Sequence, residues 1–458
     1  MLPADLPLHP SGAVPAMPMT ILHGDCIEQM RLLDAESVDA LVSDPPYGIG
    51  FMGREWDTFK PSVAEQKQGL RQINKSEHYS RKEKRAANPN LKGRTVDGAI
   101  SSSQIEYDYS VTGLRAFQAW TELWAREAFR VLKPGAHAVV CGAPRAYHRM
   151  ASGLEDAGFE IRDCLAWLFG SGFPKSLNLG EGLGTALKPA HEPIVLARKP
   201  FKGTVKGNVE KFGTGALNID AARIGDEGGC AGATKGEQVV NCYGKNLNGE
   251  FGQPVPGLGR WPANVALDEI AAMVLDEQSG ELVDGVAVNR NRTERAESPA
   301  GYGSRNVIPV DVGYGGSGGA SRFYYVAKPS REERDYGCVG LAQRTAGECT
   351  DRREGSDGLK NPRAGAGRTG GGRNFHPTVK PVELMRWLVK LVTPINGTVI
   401  DPFLGSGTTG MACVYEQRGF IGIEKEAEYL EIARARIAAV APLFSGAGAD
   451  LFQTEPVA

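Results

Sequence analysis

The stretch Val38-Asp39-Ala40-Leu41-Val42-Ser43-Asp44-Pro45-Pro46-Tyr47 governs the reading of the chain. Ala40 to Val42 is a short apolar run of the kind that forms a buried strand. That strand must stop at Asp44, because two successive prolines donate nothing to a ladder and hold the chain extended. A carboxylate, a stiff corner and an aromatic ring therefore stand at the carboxyl end of a strand, where open α/β sheets bind ligands. Alone, the same residues also describe an ordinary strand and turn.

A second stretch, far along the chain, gives the first its weight. Thr398-Val399-Ile400-Asp401-Pro402-Phe403-Leu404-Gly405-Ser406-Gly407-Thr408-Thr409-Gly410 is a strand, an acidic turn and a glycine-rich loop that opens a helix. The strand Phe420-Ile421-Gly422-Ile423-Glu424 follows. Gly405 to Gly410 satisfies G-x-G-x-x-G, and Glu424 lies about 20 residues further on, as a dinucleotide fingerprint asks. A nicotinamide-dependent oxidoreductase is therefore one reading of this loop. A P-loop is excluded, because no Gly-Lys-Ser/Thr follows. Asp401 places negative charge just before the loop, which suits a ligand ammonium better than a pyrophosphate.

The two stretches together resemble the motifs of S-adenosylmethionine-dependent DNA amino-methyltransferases, with D-P-P-Y at Asp44 to Tyr47 and D-P-F-x-G-x-G at Asp401 to Gly407. A third element of that family, H-P-T-x-K-P, stands complete at His376 to Pro381. The resemblance implies that Asp44, Pro45, Pro46 and Tyr47 are catalytic. It implies S-adenosylmethionine as cofactor, held on the loop by Asp401, Pro402, Phe403, Gly405, Ser406, Gly407 and Thr408. Glu424 would serve the ribose and Asp25 the adenine, with Cys26 and Lys425 also among the cofactor-binding residues. His376, Thr378, Lys380 and Pro381 would form the pocket for the methionine end. Read without the family, Asp25 is a cap for the helix that follows it.

The chemistry asks for such a set. The exocyclic amine of adenine or cytosine is a poor nucleophile, because its lone pair is delocalised into the ring. A rigid carboxylate and a backbone carbonyl, here Asp44 and Pro45, can each accept one N–H and turn the lone pair toward the electrophile. Tyr47 offers a face for stacking, and the target base must be swung out of the duplex at a cost of a few kcal/mol. No metal or covalent nucleophile is needed. In the family, Asp at the first motif position leans to adenine N6 and Ser to cytosine N4, so adenine is the expected base and cytosine N4 the alternative.

The catalytic tetrad precedes the cofactor loop, the reverse of the unpermuted order, which resembles the β class. The expected fold is α/β, a circularly permuted Rossmann-like methyltransferase sheet with an inserted target-recognition region. The expected parts are a tail at 1–19, a catalytic half at 20–198 with a basic flexible loop at about 53–112, and an insert at 199–320. A cofactor-binding half at 321–440, with a Gly/Arg-rich loop at about 344–373, and a tail at 441–458 complete the chain.

Within these parts, periodicity predicts a helix over 117–132, ended by Lys133-Pro134-Gly135, and strands at 136–142, 161–168 and 192–198 in a parallel, doubly wound sheet. Ser321 to Lys328 reads as an aromatic strand, and Val382 to Val392 as an amphipathic helix.

Composition limits the partners. With 458 residues, two lobes are expected. The formal charge of -2 gives no global basic footprint, so nucleic-acid binding must come from local patches. One such patch is Lys67, Arg71, Lys75, Arg81, Lys82, Lys84, Arg85, Lys92 and Arg94, opposed between positions 67 and 94 only by Glu77 and Glu83. Beside the D-P-P-Y tetrad, it would neutralise phosphates of double-stranded DNA.

Eight cysteines show no C-x-x-C pair and no histidines at zinc-ligand spacing, which predicts neither a metal nor a disulfide framework. Met1 to Met19 lacks the basic start and apolar core of a signal peptide, and no apolar run approaches membrane-spanning length. A cytoplasmic protein acting on duplex DNA follows. The family adds a homodimer and a prokaryotic restriction-modification setting.

Overall fold

The computed structural model describes residues 17–47, 111–170, 178–230, 254–283, 286–287, 312–313, 316–327, 331–345, 348 and 371–441. The basic patch at 67–94, nearly all of both tails and most of the Gly/Arg-rich stretch lie outside the described residues. The chain divides into two compact units: Met1–Ala166 with His191–Asn218 and Lys328–Ala458, and Trp167–Ala190 with Ile219–Ala327.

The first unit is built on a sheet. Its elements are β1 (Met19–His23), α1 (Cys26–Arg31), β2 (Val38–Ser43), α2 (Val111–Val131), β3 (Leu132–Cys141), α3 (Tyr147–Asp156), β4 (Glu160–Leu168), β5 (His191–Arg198) and α4 (Val205–Phe212). After the second unit come α5 (Val382–Val392), β6 (Thr398–Asp401), α6 (Thr408–Tyr415), β7 (Gly419–Glu424) and α7 (Ala427–Val440). The strand order is β1-β7-β6-β2-β3-β5-β4.

Counted from β6, the strand before the glycine loop, this order runs third, second, first, fourth, fifth, seventh, sixth. It is the Rossmann order with one extra strand between the fifth and sixth. The permutation expected from the motif order is thus visible in the strand pairing: β7 lies against β1, and β6 against β2. The order reverses between β6 and β2, the topological switch point where such sheets bind ligands.

The core forms where these elements bury their apolar faces. β2 is buried along its whole length, as a central parallel strand must be. Helix α2 brings Phe117, Trp124, Ala128 and Val131 to one cluster with Leu41, Leu132 and Val140. Their spacing of three, four and seven is the helical stripe read from the sequence. Asp39, buried at the start of β2, accepts from Lys133 Nζ at 2.7 Å and from the Thr398 amide at 2.9 Å, which ties β3 and β6 to β2.

Three expectations are corrected. The sheet is not wholly parallel: β5 runs antiparallel to β3, with His137 opposite Arg198 and Cys141 opposite Ile194. An apolar run reads the same in either direction, and its direction is decided by where the chain re-enters the sheet. Helix α2 starts at Val111 and passes straight into β3. Lys133-Pro134-Gly135 therefore lies inside a strand, where the register shift between Val38 and Ala40 accommodates the proline. Ala320–Phe323 forms a tight turn ahead of a short strand at Tyr325–Ala327, because Ser321 donates its amide and hydroxyl to Asp276.

In the second unit, Ile224–Cys230 pairs antiparallel with Pro254–Arg260, and Val265–Asp268 pairs parallel with Tyr325–Ala327. Asp268 caps the helix Glu269–Ser279, accepting from the amides of Ala271 and Gly170. Arg260 and Arg322 stack on Phe323, and Trp261 is 66% exposed beside Arg223.

This unit is drawn differently from the expected insert at 199–320, since residues 199–218 belong to the first unit. The buried Asn208 donates to the carbonyls of Pro134 and Thr214, and Asn218 donates to those of Lys390 and Thr393 at the end of α5. Side chains typical of loops thus hold this stretch in place. No described helix is long and apolar enough to cross a membrane.

Candidate active site

Four neighbouring strands, β1, β7, β6 and β2, run parallel, so their carboxyl ends lie along one edge. Each delivers an acid there: Asp25 just past β1, Glu424 ending β7, Asp401 ending β6 and Asp44 just past β2. The two motifs meet at the switch point, where Ser43 Oγ donates to Asp401 Oδ1 at 2.6 Å across 358 positions of sequence.

The glycine loop is folded onto the end of β7. Leu404 donates to the Ile423 carbonyl, and Gly405 donates its amide to Glu424 Oε2 at 2.7 Å. The other oxygen of Glu424 accepts from the Glu426 amide at 2.9 Å. Burial pushes the Glu424 carboxyl up to about 7, against the pull of these two amides. Asp401 is buried and pushed up to about 6, while hydrogen bonds from Ser43, Thr409 and the Phe403 amide pull it down. Both acids are thus poised to ionise near neutral pH, each with a lone pair to spare for a ligand.

Gly405 sits at φ +52, and a Cβ there would lie 2.9 Å from His376 Nε2. Glycine is required twice over, by the positive φ and by the approach of the imidazole. His376 directs Nδ1 to the Thr378 carbonyl, and burial lowers its pKa to about 4, so the ring is neutral. The H-P-T-x-K-P element is therefore packed against the glycine loop.

Beneath the loop, the fully buried Arg436 of α7 donates to the Ser406 carbonyl at 2.7 Å, Ser406 Oγ at 3.0 Å and Thr408 Oγ1 at 3.1 Å. Phe403 packs on Trp120 and Trp124 with ring centroids 5.4 Å apart in each case.

The D-P-P-Y tetrad is organised by a lysine. Lys380, buried, donates to Asp44 Oδ2 at 2.7 Å and to the Tyr47 hydroxyl at 2.9 Å, and lies 3.1 Å from Glu192 Oε2. Tyr47 donates its hydroxyl to Asp44 Oδ1 at 2.6 Å. Burial alone would lower the Lys380 pKa, but the Asp44 and Glu192 carboxylates outweigh it and hold it raised, so the ammonium stays charged. Burial, with Asp44 and Glu192 nearby, keeps the Tyr47 phenol neutral.

The structure brings the residues of all three motifs to this edge, and several of them also have partners within the protein. Lys380 places its ammonium on Asp44 and Tyr47 of the tetrad. Thr408 turns its hydroxyl to Arg436, Pro402 is buried, and Pro381 caps α5. Asp25 caps α1 by accepting from Ile27 at 2.9 Å. Cys26 is buried, with its thiol pushed up to about 12 by burial and by Asp25. Lys425 is exposed, and its carbonyl accepts from His23.

Sequence reasoning missed Glu192 and Arg436. Each left a signal: a carboxylate beside the apolar run Ile194 to Ala197, and a charge on the apolar stripe Ile432-Ala433-Ile437. Among the described residues, no group of three or more His, Cys, Asp or Glu has the arrangement to hold a metal ion.

The chain is similar in sequence to known proteins. The profile of the N6/N4 DNA methylase family matches residues 38–435. The chain is 27% identical over 216 residues to the Type II methyltransferase M.HindIII of Haemophilus influenzae, covering 43% of this chain and 64% of that protein. It is 43% identical over 68 residues to the Type II methyltransferase M2.MboI of Moraxella bovis, covering 15% and 25%. The match thus spans less than two thirds of either relative. Among solved structures, the PvuII DNA methyltransferase (cytosine-N4-specific) aligns over 94% of this chain and 95% of its own, at 12% identity and a TM-score of 0.42. With the family profile running from the strand before the D-P-P-Y tetrad to the helix beneath the glycine loop, the chain belongs to the N6/N4 DNA methylase family.

Proposed function

We propose that this chain methylates the N6 amine of an adenine flipped out of duplex DNA, with S-adenosylmethionine as methyl donor. The observation that carries the reading is the Ser43 to Asp401 hydrogen bond of 2.6 Å, which sets the tetrad and the glycine loop side by side at the switch point. The residues fit the donor. Gly405 leaves a cradle that a Cβ would fill, and Asp401 and Glu424 supply acceptors for an ammonium and for ribose hydroxyls. The donor would contribute a methyl group on a positively charged sulfonium, good enough as a leaving group for direct displacement.

The rest is the work of the chain. Asp44 and the Pro45 carbonyl accept the two amine hydrogens and so aim the nitrogen lone pair, while Pro46 keeps that carbonyl stiff. Lys380 and Tyr47 hold the Asp44 carboxylate in one orientation from both of its oxygens. Tyr47 presents its ring to the base. Adenine is favoured over cytosine by the Asp at the first position of the tetrad.

The second unit, with Arg223, Arg260 and Arg322 stacked on aromatic rings, suits target recognition. The basic patch at 67–94 suits phosphate neutralisation. A homodimer working in the prokaryotic cytoplasm completes the reading, and sedimentation at micromolar concentration tests the dimer.

The test of function is to incubate the protein with methyl-labelled S-adenosylmethionine and plasmid DNA, digest the DNA and separate the nucleosides. Label on N6-methyl-2′-deoxyadenosine is expected. Label on N4-methyl-2′-deoxycytidine overturns the base, and unlabelled DNA overturns the activity.

A further inference from the structure

We infer that Glu192 is a positioning residue for methyl transfer: it balances the charge of Lys380, so that the Asp44 carboxylate keeps a net negative charge to offer the substrate amine. The inference rests on the proposed activity and assigns a task to a residue outside its motifs.

The argument begins with a count of donors. Lys380 has three N–H groups, and its three neighbours are Asp44 Oδ2 at 2.7 Å, the Tyr47 oxygen at 2.9 Å and Glu192 Oε2 at 3.1 Å. The ammonium is therefore shared between two carboxylates. Its side chain is 8% exposed, against 19% for Asp44 and 25% for Glu192, so water screens the cluster only partly. Asp44 and Lys380 alone would sum to zero charge. Glu192 returns the cluster to one net negative charge.

The reaction makes that charge matter. As the nitrogen–carbon bond forms and the carbon–sulfur bond breaks with its electron pair left on sulfur, positive charge passes to the amine nitrogen. One N–H proton then leaves, with Asp44 as the nearest acceptor in the proposed arrangement. A neutral Asp44–Lys380 pair stabilises positive charge on that nitrogen poorly, and a cluster carrying a net negative charge stabilises it well. Tyr47 leaves the balance untouched, because its phenol stays neutral. The position of Glu192 in β5, the antiparallel strand, places its acid beside the tetrad from outside the row of parallel strand ends.

The test uses three variants of the full chain: Glu192→Gln, Lys380→Met and the two combined. Single-turnover methylation, cofactor affinity by calorimetry and melting temperature are measured on each. E192Q is expected to lower kcat about 10- to 100-fold while changing cofactor affinity by less than about threefold. The double variant removes one charge of each sign and restores the net charge, so it is expected to methylate faster than E192Q. A purely structural anchor for Lys380 predicts the reverse, a double variant no better than the worse single one.

Wild-type turnover in E192Q, or a double variant slower than E192Q, overturns the inference. If K380M does not fold, Glu192→Asp decides. It retains the charge and should stay within about threefold of wild-type kcat, and a loss equal to that of E192Q overturns the inference. Failure of the proposed activity is distinct, because wild-type protein would then label no DNA at all.

Discussion

Replacing Gly405 by alanine tests the packing of the glycine loop against the H-P-T-x-K-P element. At φ +52 an L-residue costs roughly 1–2 kcal/mol. The new Cβ would also meet His376 at 2.9 Å from Nε2 and 3.1 Å from Cε1, and neither ring nor loop can yield freely, since Glu424 holds the Gly405 amide and Thr378 holds the ring. Overpacking of this kind costs a further 1–3 kcal/mol or so. If half of the sum of about 2–5 kcal/mol falls on the ligand-competent loop, cofactor affinity drops roughly 5- to 70-fold.

Gly213→Ala is the control. It has φ +77 and nothing within 4 Å, so it should lose about 1–2 kcal/mol of stability and leave affinity unchanged. In the double variant with His376→Ala the clash is gone, and the two changes should couple favourably by about 1–3 kcal/mol. The assays are calorimetric titration with S-adenosylmethionine and urea unfolding. G405A with wild-type affinity, or a cycle with no coupling, refutes the reasoning.

The remaining predictions concern the acids. Asp44→Ala should abolish methyl transfer and leave cofactor affinity within about threefold, because the Asp44 carboxylate bonds to Lys380 and Tyr47 and the acid that bonds the loop is Asp401. Lost affinity in calorimetry would place Asp44 in the wrong role. Glu424 and Asp401 set a pH dependence. Burial raises them from 4.5 to about 7 and from 3.8 to about 6, so each holds its proton more tightly in the folded state. The stability this carries is complete below about pH 4 and is lost as pH rises through about 6 to 7. It amounts to about 3 kcal/mol for each group.

Glu424→Gln, which cannot ionise, should therefore gain on wild type by about 2–3 kcal/mol between pH 5 and pH 8 in urea unfolding. Parallel pH curves would refute the assignment. Over the same range, cofactor affinity of the wild type should rise with pH, since ionised carboxylates bind an ammonium and ribose hydroxyls better. A flat calorimetric profile would count against that contact.

What could be read from the linear chain was local in character. Each motif declares itself within about a dozen residues: prolines that stop β2 at Asp44, glycines that allow the loop after β6, and a helical stripe in α5 that comes out at the expected residues. Motif order was enough to imply the permutation, because a sheet of this order has one switch point, and both motifs had to reach it.

The contacts between distant segments were not legible. Direction is absent from an apolar run, so β5 emerged antiparallel, and Pro134 entered a strand because a bulge was there to take it. Asn208, Thr214 and Asn218 hold their stretch through partners at Pro134, Lys390 and Thr393, and most of these partners lie far away in the chain.

The amino-acid sequence by itself determined the chemistry on offer: a carboxylate beside two prolines and a tyrosine, a glycine cradle behind an aspartate, and the family to which they belong. Only the tertiary structure decided how those charges are shared. Lys380 and Glu192 lie 188 positions apart and meet over Asp44, and Arg436 reaches the loop from α7. Local sequence fixes φ, ψ and burial tendency. Electrostatic partnership depends on distances that exist only once the sheet has closed.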